Sequence, residues 1–359
     1  PAALIRAQAM ASWADNRRPP APQGVTGTAR EDRGIVPGSS GRGEKHDVLS
    51  VPAGMFFCAL GGAVASSTLS FVETWQTWYW HPVASQRSLP ARIACLAAML
   101  VPAIALGSAS GASTVATAVI ATLTVPVVCE LTVARRLTPG ALCATVGLAS
   151  VALLAADELV ALASGTTLSA SIQASLDVYR QQVDELLVGA ADQVEAVFAA
   201  LGLLWPVAYV MTALGLCVST LIGASVASAH PSGSVARPPR LVDFDLPLWV
   251  VAVFVASIAG LALAVSVDGS ASQVALAVSA NVAMAARFAF AAQGLAVVAW
   301  SVRKKGLGSV VSTLVGVVAL YLEVQFVVLT IVGLVDVWAN LRHLKRGGST
   351  DVAEQTMQD

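Results

Sequence analysis

Apolar stretches, many as long as a bilayer is thick, dominate the pattern of this chain. A helix needs about 20 residues to cross the hydrocarbon core of a membrane. Val51–Val72 and Leu246–Val267 each hold 22 residues without a charge. Ile93–Cys129 holds 37, broken by Gly107-Ser108-Ala109-Ser110-Gly111, which predicts two short helices or one long broken helix. Leu137–Ala156 follows, then Ala196–Ala229 with Pro206 near its start. Val274–Val302 is interrupted only by Arg287, and Leu307–Val335 only by Glu323. The pattern predicts an all-α, polytopic integral membrane helix bundle with seven or eight transmembrane helices.

One stretch has a different period. Leu168, Ile172, Leu176, Tyr179, Val183, Leu187, Ala190, Val194 and Val197 recur at steps of three and four, and Gln173, Asp177, Arg180, Gln181, Asp184, Glu185 and Asp192 fill the other face. This predicts an amphipathic helix over about 167–196 that runs without a proline into the next span. Its polar face is acidic, whereas a helix adsorbed to anionic lipid carries Lys and Arg. The apolar face is therefore expected to pack on the protein's own bundle as a brace. A moving gate and a partner-docking helix are the other readings.

Residues 1–50 hold seven basic and five acidic residues, Arg17-Arg18-Pro19-Pro20 and few large apolar side chains. Such a segment cannot bury enough apolar surface to offset its ordering entropy. It is expected to be a disordered cytoplasmic tail, and without a long apolar core it does not read as a secretory signal. The chain opens on Pro1 rather than Met, so its start is expected to lie elsewhere. The multi-pass membrane domain is expected over 51–346, with a flexible tail over 347–359.

Orientation follows from Lys and Arg in short loops, which stay in the cytoplasm. Arg135-Arg136, Arg237 with Arg240, and Arg303-Lys304-Lys305 alternate with Asp157–Glu195, which holds seven acids against Arg180, and with the turn at Asp268. The acidic segment is thereby expected outside. Two places break the alternation. A single crossing after Lys305 would put Arg342, Lys345 and Arg346 outside, and the N-terminal arginines clash likewise if Ile93–Cys129 crosses twice. One re-entrant or interfacial segment at each end would reconcile both, but the sequence places neither. Trp75-Gln76-Thr77-Trp78-Tyr79-Trp80 reads as an interfacial anchor, with a ligand-stacking lid as the other reading. Trp338 and Arg342, four apart, are expected to stack at an interface.

Composition agrees with the spans. Hydrophobic residues make up 56 % and charged residues 12 %, about half the roughly 25 % of a soluble domain. With net charge −1, nothing draws the chain to nucleic acid. Cys58, Cys95, Cys129, Cys143 and Cys217 lie inside apolar runs without a CxxC pair, so they read as packing residues. His46, His81, His230 and His343 are far apart and form no metal-ligand cluster. No GxxxxGK[ST], HExxH or GxSxG occurs, and no nucleophile–base pair can be assembled from the spans. No cofactor and no enzymatic activity are expected.

The chemistry that remains is inside the membrane. Arg287 and Glu323 sit near the centres of consecutive apolar runs, where each alone would cost on the order of 2.5–3.5 kcal/mol. Opposite signs at similar depth predict a salt bridge. Asn281 and Gln293 accompany Arg287, and Gln325 accompanies Glu323. These five are the candidate ligand-binding residues. Spaced by six, Asn281, Arg287 and Gln293 fall about 120° apart around a helix, which counts against one shared pocket. A static structural pair, a polar ligand site and a proton relay are all compatible with the pattern. The partners expected are the lipid bilayer, a small polar ligand and a membrane protein partner.

From about Leu204 to Arg346 the order of short motifs resembles the YybS family of bacterial multi-pass membrane proteins. The carrying residues are Leu204-Trp205-Pro206, Arg237-Pro238-Pro239-Arg240, Leu246-Pro247 and Asn281, then Gln293-Gly294-Leu295-Ala296-Val297-Val298, Arg303-Lys304-Lys305-Gly306, Gly333-Leu334-Val335-Asp336-Val337-Trp338 and Arg342. Pro126–Ala156 fits more loosely and residues 1–50 do not fit. The resemblance implies a multi-pass protein of the bacterial cytoplasmic membrane with unassigned molecular function. More distantly, that family is similar to the S components of energy-coupling-factor vitamin importers. The function this favours is a small-molecule binding or transport-related subunit, against a non-transporting scaffold for envelope or division proteins.

Overall fold

The structure, a computed structural model, describes residues 50–65, 72–186, 191–229, 235–267 and 269–344. Apart from Ser50, both expected tails lie outside the described residues, as do Lys345 and Arg346. Among the described residues there are twelve α-helices, one short 3₁₀ turn and no strand. The helices are α1 (Val51–Ala65), α2 (Val72–Gln86), α3 (Leu89–Gly107), α4 (Ala112–Val133), α5 (Pro139–Ala163) and α6 (Leu168–Leu186). They continue with α7 (Ala191–Leu204), α8 (Val207–Ser228), the 3₁₀ turn Leu241–Asp243, α9 (Leu248–Ser266), α10 (Ser270–Lys304), α11 (Ser309–Phe326) and α12 (Val328–Ala339). Seven of them, α3, α4, α5, α8, α9, α10 and α11, are long and apolar enough to cross a membrane. The protein is a polytopic helical membrane bundle.

Local chemistry explains most boundaries. The Gly/Ser stretch separates α3 from α4, with Gly111 at φ 110°, a conformation that L side chains avoid. Thr138 caps α5 through Oγ1, and Pro139 opens it where an N–H would have no partner. Pro206 divides the expected span Ala196–Ala229 into α7 and α8, since it lacks a donor and disfavours helix at the residue before it. The amphipathic stretch is described as two helices, on either side of residues 187–190, which with Leu187 and Ala190 of the expected apolar face lie outside the described residues. Helix α6 packs against α7, with Arg180 over the Phe198 ring and 3.5 Å from Glu195, and Gln173 reaching the Gly202 carbonyl at 3.4 Å. The Glu158 carboxylate, at the end of α5, accepts from the Leu168 amide that opens α6.

Helices α1–α5 and α8 form one packed group around Cys58, Trp80, Cys95, Met99, Val125 and Cys129. Helices α9–α12 form another around Val250, Phe290 and Val337. The cysteines are packing residues, four of them buried and none in a disulfide. Where helices cross closely, glycine permits it: a Cβ on Gly62 would fall on the Met99 carbonyl, and one on Gly333 on the Phe290 carbonyl. Arg92 (paired with Glu130), Arg135, Arg136, Arg237, Arg240, Arg303 and Lys304 gather at one end of the bundle, here the basic end.

Each terminus of this domain is a hairpin that enters and leaves at the basic end. At the front, the described part of the expected span Val51–Val72 is the helix Val51–Ala65, 15 residues and about 22 Å long, and residues 66–71 lie outside the described residues. Gly61 lies against Gln76 and Gly54 against Val83, so α2 runs back along α1. Thr74 meets Ser219, midway along α8, through its amide (3.1 Å) and its hydroxyl (2.9 Å). His81 Nε2 lies 2.6 Å from the Ala236 carbonyl beyond the end of α8. The aromatic cluster is therefore a two-faced helix rather than a simple surface anchor. Trp75, Trp78 and Tyr79 stack on its outer side, while Gln76, Thr77, Trp80 and His81 are buried.

At the back, α11 leaves the Lys304 end of α10 and reaches Arg287 with Glu323. The chain then turns at Val327, in the left-handed conformation at φ 58°, ψ 28°. From there α12 runs parallel to α10: Thr330 faces Arg287, Gly333 faces Phe290, and Asp336 faces Gln293. Leu344 ends beside Trp300, Arg303 and Lys304. Both hairpins return to the basic end, the geometry that a re-entrant or interfacial segment at each end would have.

Candidate functional site

Helix α10 is 35 residues long, about 52 Å, and carries the three polar candidates at intervals of six. The structure sends each to a different neighbour. Asn281 Nδ2 donates to the Leu203 carbonyl at 2.9 Å, in the last turn of α7 just before the Trp205-Pro206 break, and to its own Ala277 carbonyl at 2.7 Å. Arg287 reaches the α11–α12 break. Gln293 Oε1 accepts from the Leu246 amide at 3.1 Å, where the chain turns into α9 ahead of Pro247. Backbone that leaves the helical pattern inside a membrane must find partners, since no water is there to supply them. Each polar residue of α10 binds backbone at one such place. A spacing of 120° suits that task and does not suit a single pocket.

The centre is the Val327 corner. A β-branched residue in the left-handed region carries strain of about 1–3 kcal/mol, so its surroundings must hold it. Glu323 and Arg287 do this from both sides. The Glu323 carboxylate accepts from the Thr330 amide at 2.9 Å and the Thr330 hydroxyl at 2.6 Å, capping the first turn of α12. A carboxylate there also faces the positive end of the α12 dipole. Arg287 donates to the same carboxylate from Nε (3.3 Å) and Nη2 (3.2 Å). Its Nη2 also lies 3.3 Å from the Glu323 main-chain carbonyl, which already accepts the Val327 amide at 3.0 Å, so the arginine adds a second donor at the end of α11. The Thr330 hydroxyl is 3.4 Å from the Arg287 carbonyl. The expected salt bridge is present, with side chains 26 % and 12 % exposed, and it is directional: acceptor on α11, donor on α10. Gln325 is exposed on α11 and takes no part.

A second polar cluster was not visible from sequence. Helix α12 ends at Asn340, again left-handed at φ 44°, and Arg342 turns back into the protein with its side chain fully buried. Its guanidinium donates to Asp336 Oδ2 at 2.9 and 3.1 Å, to the Val242 carbonyl at 2.8 Å and to the Phe244 carbonyl at 2.7 Å. Gln293 Nε2 joins this cluster, 2.7 Å from Asp336 Oδ2 and 3.2 Å from Asp245 Oδ1. The expected stacking of Arg342 on Trp338 is replaced by this network, and Trp338 faces outward. The left-handed turn at Asn340 is the reason, because it ends the helix on which the two side chains would have been neighbours. Asp336 could have been singled out as an acid next to an apolar run, in need of a cation within reach.

Two open depressions lie apart from the Val327 corner, one along Ser309, Thr313 and Val317 of α11 and one beside Trp300. Among the described residues, no group of His, Cys, Asp and Glu could hold a metal ion. Residues 84–337 match the model of a family described as a predicted membrane protein, DUF2232. This is more than half of the chain, and the chain belongs to that family. No curated protein and no solved structure matches it.

Proposed function

We propose that this DUF2232 member is a small-molecule binding or transport-related subunit of the bacterial cytoplasmic membrane, without enzymatic activity of its own, and that the α11–α12 hairpin is its moving part. The observation that carries the reading is the Val327 corner: a strained break in an apolar hairpin, secured by one arginine–carboxylate pair. Interrupted helices at membrane depth recur where transporters hold substrate and coupling ions. In this arrangement Glu323 occupies Arg287 as an internal anion. A ligand with a carboxylate or phosphate would compete for the same guanidinium, which recognises such groups with paired donors. Losing Arg287 would loosen Glu323 from its cap on Thr330, and the hairpin would swing from α10. The resemblance to the YybS family, and through it to S components, supports a capture role of this kind.

A scaffold is the second reading, favoured by the complete pairing of Glu323. One double variant separates the two. Glu323→Gln keeps an oxygen to accept from the Thr330 amide, and Arg287→Met removes the guanidinium, so the pair becomes neutral without an orphaned charge. A charge swap would not serve, because arginine at 323 cannot accept that N–H. Native mass spectrometry of gently solubilised protein is the readout. A discrete small molecule bound to the wild type and lost in a folded Arg287→Met/Glu323→Gln variant is the expected result. A wild type free of any small molecule, with the double variant retaining cellular function, overturns the proposal in favour of the scaffold.

A further inference from the structure

We propose that the depression at the basic end of α10 seats the headgroup of an anionic glycerophospholipid. It is lined by Trp300, Arg303 and Lys304 of α10, by Val242 and Asp243 of the 3₁₀ turn, and by Leu344. Arg303 and Lys304 are exposed, and the Lys304 ammonium lies 4.8 Å from the centre of the Trp300 ring. The apolar run of α10 ends at Val302, so this depression lies where hydrocarbon gives way to headgroups, the level that tryptophan favours. Val242, Leu344 and the indole offer apolar surface to the first carbons of the lipid, while the two cations face its phosphate. One carboxylate, Asp243, also lines the site and disfavours an anion. Arg342 beneath contributes no free charge, because its guanidinium is spent on Asp336 and on the Val242 and Phe244 carbonyls. Basic pockets between helices at this level are the general form of anionic-lipid recognition. The occupant follows from the position: a soluble phosphate would use the cations but not the apolar wall.

The position has a consequence for the hairpin. The same turn that lines the depression is pinned by Arg342, which closes α12 against α10. A lipid bridging Lys304 and the 241–244 turn would hold the base of the α11–α12 hairpin in place.

The test is native mass spectrometry of the full chain from mixed phosphatidylglycerol and phosphatidylcholine micelles at physiological ionic strength. The wild type is expected to retain phosphatidylglycerol preferentially, and Arg303→Gln/Lys304→Gln to lose that retention roughly tenfold or more. Arg135→Gln/Arg136→Gln removes the same charge from the same end of the bundle and is expected to change little. Equal losses in both variants, or no preference in the wild type, would overturn the proposal in favour of an unspecific basic belt. Displacement of the lipid by millimolar inorganic phosphate would overturn the lipid as occupant. Both pairs are exposed, and unfolding curves matching the wild type confirm that each variant is folded.

Discussion

The two terminal hairpins solve one problem with different chemistry. Both run in from the basic end and return to it, so both bring polar side chains among apolar helices. In α1–α2 the fastening runs through uncharged side chains, beside the one carboxyl of Glu73 near Ser219: Thr74 on Ser219, Gln76 on the Gly61 carbonyl (3.2 Å) and Thr122 (3.4 Å), His81 on Ala236. In α11–α12 it is ionic, with Glu323 against Arg287 and Asp336 against Arg342. Among the described residues, Gln76 Oε1, Trp80 Nε1 and His81 Nδ1 of the first hairpin are buried without a partner, and both Glu323 oxygens of the second are bonded. A neutral fastening yields a little wherever one bond is lost. An ionic one fails together once a single charge is removed, because the remaining charge is left uncompensated. The first hairpin is built as a wedge and the second as a latch.

Five substitutions probe that contrast. The largest effect is expected from Arg342→Ala, which strands buried Asp336 and frees two carbonyls. A loss of about 3–5 kcal/mol in detergent unfolding is expected, and a loss below 1 kcal/mol would show that the cluster is not a latch. Next come Gly62→Leu and Gly333→Leu, each of which pushes a side chain into a facing carbonyl. Each should cost about 1–3 kcal/mol. Similar costs would show that the hairpins share their steric fit and differ only in polar chemistry. Thr330→Val deletes one hydroxyl from the Glu323 cap but keeps the amide, so about 1 kcal/mol is expected, with faster amide exchange confined to α12. The smallest effect is Trp80→Phe. It removes a buried N–H that has no partner among the described residues, so stability should hold or rise slightly, and a large loss would reveal a partner for that indole.

The ionic hairpin was half legible in the sequence and the neutral one barely. Arg287 and Glu323 stood out because a charge in an apolar run needs a partner, and the structure pairs them. The break between them did not stand out. Phe326-Val327-Val328-Leu329 contains no Gly or Pro, and the turn is imposed by Arg287 and Thr330, 40 residues and three residues from Val327. The front hairpin was hidden by composition: Val51–Val72 has the length and apolarity of a span, and the Trp/Tyr-rich stretch has the look of an interface. The available signal was the burden of Glu73, Gln76, Thr77 and His81 on one short segment, too polar to face lipid on every side. Charge alternation asked for a re-entrant or interfacial segment at each end, but a tally of loops carries no coordinates. Asn281, Arg287 and Gln293 were legible as residues and illegible as partners, since their partners are backbone carbonyls and amides that any sequence supplies.

The order in which these pieces are made adds a constraint. Arg287 and Glu323 are separated by 36 positions along the chain. At a synthesis rate of roughly 5–20 residues per second, the arginine precedes its carboxylate by roughly 2–7 s. During that interval α10 exists without its anion, and the guanidinium must be tolerated by the insertion machinery, by lipid phosphate or by a passing water. Until Glu323 is made, every molecule therefore passes through an unlatched form in which something other than its own carboxylate faces the Arg287 guanidinium.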